Sequence, residues 1–185
     1  MLVLASASPR RQELLRNANI GFEVQPANIN EVPLPNEAAK AYAERLAREK
    51  AQAVAQQRPH DAVLGADTVV VIDQQILGKP ANSDDAARML RLLSGRTHHV
   101  ITGVCLAISG RVEVASETTA VTMTEIAEEE IAAYIANGEP MDKAGAYAIQ
   151  GIASRWIPRI EGEYSNVVGL PVARVFRMLR NAHLI

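Results

Sequence analysis

Two long stretches with the character of β-strands, THHVITGVCLAI and RVEVASETTAVTMT, stand on either side of a Ser-Gly pair at residues 109–110. Two strand-like runs joined by so short a turn predict an antiparallel hairpin. Upstream, strand-like runs alternate with helical patterns. They occupy residues 2–5 (strand), 9–18 (helix), 21–25 (strand), about 37–57 (helix) and 62–67 (strand). Alternation at one end and a hairpin at the other favour a mixed sheet with helices on its faces, which is an α/β fold.

The rest of the chain adds further elements to this pattern. The run VVVID extends the strand that begins at residue 62 up to a turn predicted at Gln74–Gln75. A helix is predicted over residues 82–95, because Ser83 can cap its start, two aspartates occupy its first turn and Gly95 follows its end. The remaining predicted elements are a helix at 127–138, a strand pair around Glu161–Glu163 and a helix at 171–184.

Length, composition and charge narrow the function classes. The 185 residues suffice for one sizeable domain, so residues 1–185 are interpreted as a single domain. The net charge is −2, which argues against a nucleic-acid binder, because such proteins usually carry a basic surplus. The single cysteine excludes an intrachain disulfide. There is no basic leader followed by an apolar stretch, and no run approaches the roughly 20 apolar residues of a membrane span. We therefore expect a cytoplasmic protein with no nucleic-acid or membrane partner.

The segment SASPRR, residues 6–11, combines a helix start with two arginines. Ser8 is a typical N-cap and Pro9 suits the first helical position, which places Arg10 and Arg11 in the first turn. That end is unfavourable for cations, because a helix N-terminus carries a partial positive charge. Either both side chains are solvated, or an anion binds there. Helix-start N–H groups and arginines bind anions well, and open α/β sheets bind ligands where a strand meets a helix.

Two carboxylates are candidates for metal binding or proton transfer. Asp67 lies where the apolar strand of LGADT ends, and Gly65 and Ala66 are expected to keep the approach to it open. A carboxylate at a strand end can hold Mg²⁺ or take a proton from water. Glu31, in the polar loop NINEVPLPNE, offers a second hard oxygen ligand. For each of the two, an ordinary solvated side chain is the alternative.

Three isolated lysines stand beside glycine or other small residues: Lys50, Lys79 and Lys143. A single lysine is usually a solvated charge, whereas a polyphosphate needs several cationic donors. Together with the arginines and carboxylates, these lysines are compatible with metal-assisted attack on a phosphate ester.

Other kinds of site find little support in the sequence. His98 and His99 are adjacent, so on a strand they would point to opposite faces of the sheet. No HExxH or Cys/His spacing predicts a zinc site. Neither Ser8 nor Ser165 stands in the G-x-S-x-G context of a serine hydrolase.

Several of these motifs belong to a series of seven segments. They are LASASPRRQELL, LAREKA, LGADTVV, LGKP, LRLLSGRTHHVITGV, EPMDKAGAYAIQG and YSNVVGLP. In their order and approximate spacing they resemble the Maf family of nucleoside triphosphate pyrophosphatases, from Leu4 to Pro171 and into the last helix. Within the family, AGAYAIQG resembles the branch that acts on dTTP and UTP. The branch that favours 7-methyl-GTP has an acidic residue in place of Gln150.

The resemblance implies hydrolysis of a nucleoside triphosphate to the monophosphate and pyrophosphate, with Mg²⁺ or Mn²⁺ as cofactor, by a homodimer. It implies a Maf/Ham1 (ITPase-like) fold, in which an elongated mixed β-sheet is flanked by helices and two lobes enclose a central cleft. Asp67 becomes the expected catalytic base, close to a metal held by Glu31 and Asp67. The expected specificity residues are Arg10, Thr68 and Gln150. The expected phosphate or cleft contacts are Ser8, Arg11, Lys50, Lys79 and Lys143.

Two other functions remain open. One, which the resemblance implies, is a nucleotide-binding regulator of cell division, acting on septum formation without essential turnover. The other is a monophosphatase, which would release orthophosphate. Asp67 and the lysines favour an enzyme, because a sensor does not need a carboxylate at the strand end. The substrates predicted from the resemblance are dTTP and UTP, with modified pyrimidine triphosphates as further candidates.

Overall fold

The predicted hairpin and the predicted alternation of strands and helices form one mixed sheet in the computed structural model, which describes residues 1–185. The strands are β1 (Leu2–Leu4), β2 (Glu23–Val24), β3 (Ala62–Ile72), β4 (Gln75–Leu77), β5 (Thr97–Ile108), β6 (Arg111–Thr122) and β7 (Arg159–Glu161). The helices are α1 (Pro9–Asn17), α2 (Ala39–Ala55), α3 (Ser83–Leu93), α4 (Glu128–Ala136), α5 (Tyr164–Val168) and α6 (Val172–Asn181). Short 3-10 turns occupy Glu139–Asp142, Ala144–Ala146 and Ile152–Trp156. The α/β prediction is confirmed.

The sheet combines a parallel and an antiparallel part. Its strand order is β2-β1-β3-β5-β6-β7, and β4 also pairs with β3. Strand β1 runs parallel to β2 and β3, whereas β3, β5, β6 and β7 pair antiparallel. At the hairpin, Ile108 pairs with Arg111, and the two turn residues Ser109 and Gly110 have φ of 49° and 77°. Positive φ at both positions gives the tight turn that matches the twist of the flanking strands.

One edge of β3 is interrupted in its middle. Strand β5 pairs with the other edge along most of its length. On the interrupted edge, β1 pairs with Ala62–Leu64 and β4 pairs with Val70–Ile72. The residues between them, 65–69, have no strand partner on that side. The open edge creates the space in which a cleft forms.

The two faces of the sheet are covered differently. Helix α2 packs along β3 and β5 on one face, with Ala47 and Ala51 against Val63 and Cys105. On the opposite face, one buried cluster joins the β1 end of the sheet to α1 and α6, and a separate cluster joins the β4 end to α3 and α4. These clusters are the cores of two lobes, and the cleft lies between them, as the resemblance implies.

Two glycines set how closely α2 approaches the sheet. A Cβ on Gly65 would overlap the carbonyl oxygen of Ala47 and lie 2.7 Å from the nitrogen of Ala51. A Cβ on Gly103 would overlap the carbonyl of Ala43 in the same way. The interpretation of Gly65 as an open approach to a ligand is therefore wrong: it makes room for helix backbone. Ala66 is also fully buried, in the core on the other face.

Four local predictions are wrong in detail. Asp67 does not lie at a strand end, because β3 continues to Ile72. The cap of α3 is Asn82, whose side chain accepts from the N–H of Asp85 at 2.9 Å. The turn after β3 is formed by Asp73 and Gln74, because both adopt positive φ and Gln75 already belongs to β4. The predicted strand pair near the C-terminus is a single strand, β7, which pairs with β6.

Candidate active site

The cleft between the lobes has a volume of about 710 Å³. Its lining includes every residue that the sequence singles out for catalysis, specificity, phosphate binding or metal binding. These residues are Ser8, Arg10, Arg11, Glu31, Lys50, Asp67, Thr68, Lys79, Lys143 and Gln150. They come from segments far apart in the chain, so the fold brings the predicted site together; the role of each residue stays a prediction.

The first side of the cleft is the turn from β1 into α1. Ser8 caps α1 by accepting from the N–H of Arg11, and Pro9 is the first helical residue, as predicted. The Arg11 guanidinium donates to the hydroxyl of Ser6 at 3.1 Å and to the carbonyl of Gly169 at 2.8 Å. Burial lowers the pKa of Arg11, although Asp67 and Glu31 nearby oppose this effect. Arg11 is therefore a partly buried cation fixed at the floor of the cleft rather than a solvated surface residue.

Arg10 extends to the opposite wall. Its Nη1 lies 3.5 Å from an oxygen of Asp142, a residue of the other lobe. The Arg10 side chain is 30% exposed. The two arginines of SASPRR thus have different surroundings, since one lies at the floor and the other bridges the rim.

The centre of the site is a buried lysine between two carboxylates. Lys50 Nζ lies 2.7 Å from Asp67 Oδ1 and 2.8 Å from Glu31 Oε1. Lys50 and Asp67 are only 8% and 6% exposed. Helix α2 presents Lys50 to β3 because Gly65 allows the close approach of the two elements. Burial raises the pKa of Asp67, while the charge and hydrogen bond of Lys50 oppose that rise.

Thr68 lies next to Asp67 on the open edge, and alternation turns its side chain to the opposite face. Its hydroxyl accepts from Arg11 Nη2 at 3.1 Å and shares a 2.9 Å hydrogen bond with the hydroxyl of Thr102. It also lies 3.3 Å from the carbonyl of Gly169. Consecutive residues of β3 therefore hold the carboxylate on one face and the Arg11 guanidinium on the other.

The remaining predicted residues line the second wall. Lys143 donates to the carbonyl of Glu139 and to Asp142, both at 2.6 Å. Lys79 is exposed and forms no ion pair. Gln150 is exposed as well, on the turn that precedes the third 3-10 segment. The lysines thus reach one cleft, but only Lys50 is buried among acidic partners.

Two residues that support the site, one in the cleft lining and one buried behind it, are missed by sequence reasoning. Tyr42 lines the cleft and donates its hydroxyl to the carbonyl of Glu31 at 3.0 Å, which ties the Glu31 loop to α2. Thr102 supports Thr68 from below and donates to the carbonyl of Asn166 at 3.2 Å. Tyr42 matches the apolar face of its helix, so nothing in the sequence indicates that its hydroxyl forms a hydrogen bond to the Glu31 loop. Thr102 is the stronger clue, because it interrupts the apolar run VITGVCLAI.

The donor set around Lys50 suits a hard divalent cation. Carboxylate oxygens of Glu31 and Asp67 already converge on one positive charge, the Lys50 ammonium. Mg²⁺ usually takes one or two protein carboxylates and completes its shell with water and substrate phosphates. No group of three or more His, Cys, Asp or Glu side chains forms an all-protein metal site. Glu31 and Asp67, which face the cleft, therefore fit a Mg²⁺ ion that is held by two carboxylates and completed by water and substrate phosphates.

Known proteins are similar to this chain along almost its whole length. A family model described as "Maf-like protein" matches residues 1–182. A protein of Koribacter versatilis (strain Ellin345), named dTTP/UTP pyrophosphatase, is 61% identical over 181 residues, which cover 98% of this chain and 94% of the relative. Two more proteins of that name come from Geobacillus sp. (strain WCH70) and Escherichia coli O157:H7. They are 49% and 48% identical over 97% of this chain, and the alignments cover 96% and 92% of their own lengths. With its motifs gathered in one cleft and its similarity unbroken along almost the whole sequence, the chain belongs to the Maf family.

Proposed function

We propose that this protein hydrolyses dTTP and UTP to the nucleoside monophosphate and pyrophosphate. The observation that carries the proposal is a buried carboxylate, Asp67, at an open strand edge inside a cleft with five cationic side chains. The name shared by the relatives, dTTP/UTP pyrophosphatase, supports it as well. Modified pyrimidine triphosphates with the same hydrogen-bonding edge are further candidate substrates.

Asp67 acts as the general base in this proposal. Its pKa is raised by burial, which makes it a better proton acceptor than an ordinary aspartate, and the charge and hydrogen bond of Lys50 oppose that rise and favour the ionised form. Attack of water on the α-phosphorus breaks the bond to the β-phosphate and releases pyrophosphate. Negative charge grows on the leaving group, and fixed cations that stabilise it lower the barrier. Those cations are Arg10, Arg11, Lys50, Lys79 and Lys143, and Ser8 adds a capped helix start beside them.

Base selection is assigned to Gln150, with Arg10 and Thr68. An amide offers both a donor and an acceptor, so Gln150 can pair with O4 and N3–H of uracil or thymine. A carboxylate at that position would be repelled by O4. The exposed position of Gln150 on the cleft wall leaves its amide available to a ligand.

Glu31 and Asp67 are the residues that would hold Mg²⁺ or Mn²⁺. When bound, such an ion supplies Lewis-acid polarisation of phosphate oxygens. The chain's own contribution is to gather the two carboxylates around Lys50 and to bury Asp67, whereas Glu31 stays half exposed at the cleft. We expect chelation of divalent ions to abolish turnover and added Mg²⁺ or Mn²⁺ to restore it, as measured by pyrophosphate release.

The decisive test is a nucleotide panel with Mg²⁺ in which pyrophosphate and orthophosphate are scored separately. We expect pyrophosphate from dTTP and UTP and little from CTP, ATP, GTP, ITP or 7-methyl-GTP. Asp67→Asn is expected to lower kcat by roughly 10²- to 10⁴-fold, the usual contribution of a general base, while nucleotide binding persists. Binding without turnover by the unmodified protein would favour the nucleotide-sensing regulator. Release of orthophosphate alone would indicate a monophosphatase.

Assembly and location complete the proposal. We propose a homodimer, to be checked by analytical ultracentrifugation, and a cytoplasmic location, to be checked by cell fractionation. None of the helices combines the length and the apolar character needed to cross a membrane.

A further inference from the structure

The turn that carries Gln150 is held from behind by two side chains. The N–H of Ala148 donates to the hydroxyl of Tyr134 at 3.3 Å. The N–H of Ile152 donates to both carboxylate oxygens of Glu139, at 3.1 and 3.3 Å. These two peptide groups lie two residues before and two residues after Gln150. Its backbone is therefore anchored on both sides, while its side chain faces the cleft.

The two anchoring side chains also bind each other. Tyr134 donates its hydroxyl to Glu139 Oε1 at 2.9 Å. Tyr134 belongs to α4, is 1% exposed, and packs edge-to-face on Trp156 with ring centroids 5.2 Å apart. Burial, together with the hydrogen bond to Glu139, raises the pKa of Tyr134, so the hydroxyl remains a donor. The lobe core thus fixes Tyr134, and Tyr134 fixes Glu139.

The fit between this pair and the turn leaves no spare room. The N–H of Gly151 donates to the carbonyl of Ala148 at 3.1 Å, which closes the turn around Gln150. A Cβ on Gly151 would overlap Oε1 of Glu139 and lie 2.7 Å from Oε2. A side chain at residue 151 would therefore push the Glu139 carboxylate away from its present position against the turn.

We propose that Glu139, fixed by Tyr134, is the positioning residue that places the Gln150 amide and thereby sets the selectivity for the base. This inference rests on the proposed function. Hydrogen-bond recognition works only when the recognising group is held within about 0.5 Å of its productive position, which requires supporting contacts behind it. The carbonyl of Glu139 also accepts from Lys143 at 2.6 Å. Because that contact uses the backbone, a substitution of the Glu139 side chain leaves it in place.

The test compares kcat/KM for UTP and CTP in side-chain variants. Glu139→Ala is expected to lower the UTP/CTP ratio at least about tenfold, because the amide of Gln150 loses its fixed position. Tyr134→Phe, which keeps the packed ring, is expected to lower it in the same direction. Glu139→Gln keeps one acceptor and is expected to retain more of the ratio than Glu139→Ala. When Gln150→Ala is already present, adding Glu139→Ala is expected to lower the ratio no further.

Glu130→Ala is the matched control. Glu130 accepts from the N–H of Ala127 at 3.1 Å and from Trp156 Nε1 at 3.2 Å, in the same lobe but without contact to the Gln150 turn. It is expected to lower the melting temperature and keep the UTP/CTP ratio. An unchanged ratio in folded Glu139→Ala and Tyr134→Phe would overturn the inference, as would an equal fall in Glu130→Ala. If Glu139→Ala does not fold, Tyr134→Phe decides. An unmodified protein that does not prefer UTP to CTP would instead refute the proposed function.

Discussion

Asp67 illustrates how a single residue combines two opposing effects. Burial alone raises the pKa of its carboxyl group, and Lys50 at 2.7 Å opposes this effect. The carboxylate is thus a stronger base than a solvated aspartate but still ionises. A general base must be deprotonated to act, so activity is expected to be lost as the pH falls through the raised pKa of Asp67.

Removing Lys50 is expected to move that loss of activity to higher pH. In Lys50→Met the carboxylate keeps its burial but loses its main cationic partner, so the pKa of Asp67 rises further. The measurement is the pH dependence of kcat/KM for UTP, which reports groups of the free enzyme. Lys79→Met is the control: it removes an exposed cleft lysine without an ion pair, so kcat/KM should drop while the acid limb stays in place. An acid limb that does not move in Lys50→Met would contradict the role of Asp67 as base.

His98 is expected to make stability depend on pH. It is 1% exposed on β5, bonded to the hydroxyl of Tyr147 at 2.7 Å, and burial lowers its pKa from 6.5 to about 4. Between these values the unfolded chain binds a proton that the folded chain does not, so stability falls as the pH falls. The full loss is about 3 kcal/mol, at about 1.4 kcal/mol per pKa unit.

Urea unfolding at several pH values tests this contribution. His98→Gln is expected to flatten the fall in the free energy of unfolding between pH 6.5 and 4. His99→Gln is the matched control, because His99 is the neighbouring residue of the same strand and is exposed. An equally steep fall in His98→Gln would show that other groups cause it.

Residue types could be predicted at this scale, but their contacts could not. The sequence predicts Arg10 and Arg11 as an anion site, and both line the cleft. It cannot predict that Arg11 is tied to the carbonyl of Gly169, because that partner lies 158 positions along the chain. Glu139 is also not predictable, because its proposed role depends on accepting the N–H of Ile152, 13 positions along the chain, which no local pattern indicates.

At the scale of elements, the packing of α2 on β3 decides the geometry of the site. Gly65→Ala would place a methyl group against the helix backbone, at Ala47 and Ala51, which cannot rotate away. We expect a destabilisation of about 1–3 kcal/mol, typical of overpacking, together with reduced kcat because Lys50 moves away from Asp67. Chemical denaturation and steady-state kinetics measure the two effects.

Gly21→Ala is the control for that variant. A Cβ at Gly21 has no atom within 4 Å, so stability is expected to change by less than about 0.5 kcal/mol. If Gly65→Ala were as stable and active as Gly21→Ala, the close approach of α2 would not matter for the site.

Element types were predictable, but turn details were not. Helices α1 and α3 have strong local start signals, and the long hairpin is predicted by two strand-like runs on either side of a Ser-Gly pair. The sequence predicts the turn after β3 one residue late, because Asp73 and Gln74 adopt positive φ without any glycine to mark the turn. The prediction for Gly65 is wrong because a strand glycine permits either a ligand or a helix to approach.

At the scale of the whole molecule, the cleft is positively charged although the chain as a whole is negatively charged. The net charge is −2, yet the cleft gathers five cationic side chains around three acidic ones, Glu31, Asp67 and Asp142. A cationic cleft attracts an anionic substrate through a field that salt screens beyond about 8 Å at physiological ionic strength. We therefore expect kcat/KM for UTP to fall severalfold as KCl is added at constant Mg²⁺.

Lys79→Gln is expected to reduce that salt dependence, because it removes an exposed charge at the cleft. Lys40→Gln is the control, since Lys40 lies outside the cleft lining and only 3.9 Å from its own partner, Glu44. Equal slopes of log kcat/KM against log salt in all three proteins would contradict electrostatic steering by the cleft.

The sequence predicts a mixed sheet with helices, but not the interrupted edge of β3 that makes the cleft. That interruption depends on β4 folding back onto residues 70–72 while β1 ends opposite Leu64. The pairing of β1 with β3 is non-local. Strand β4 follows β3 directly through the turn at Asp73–Gln74, but it has only three residues, too few to give a clear strand pattern. The cleft is therefore predicted by the family resemblance and not by local sequence patterns.

The long strands β3 and β5 have a consequence for motion during turnover. They run uninterrupted beneath both lobes and pair over nine residues, from Val63 to Val71. Hinge-like opening between the lobes would have to break this ladder, so the lobes are expected not to rotate apart. Substrate entry and pyrophosphate release are then expected to involve the exposed loop that carries Glu31, while Asp67, Thr68 and the anchored turn of Gln150 stay fixed. Product release would be governed by that loop rather than by a movement of the lobes.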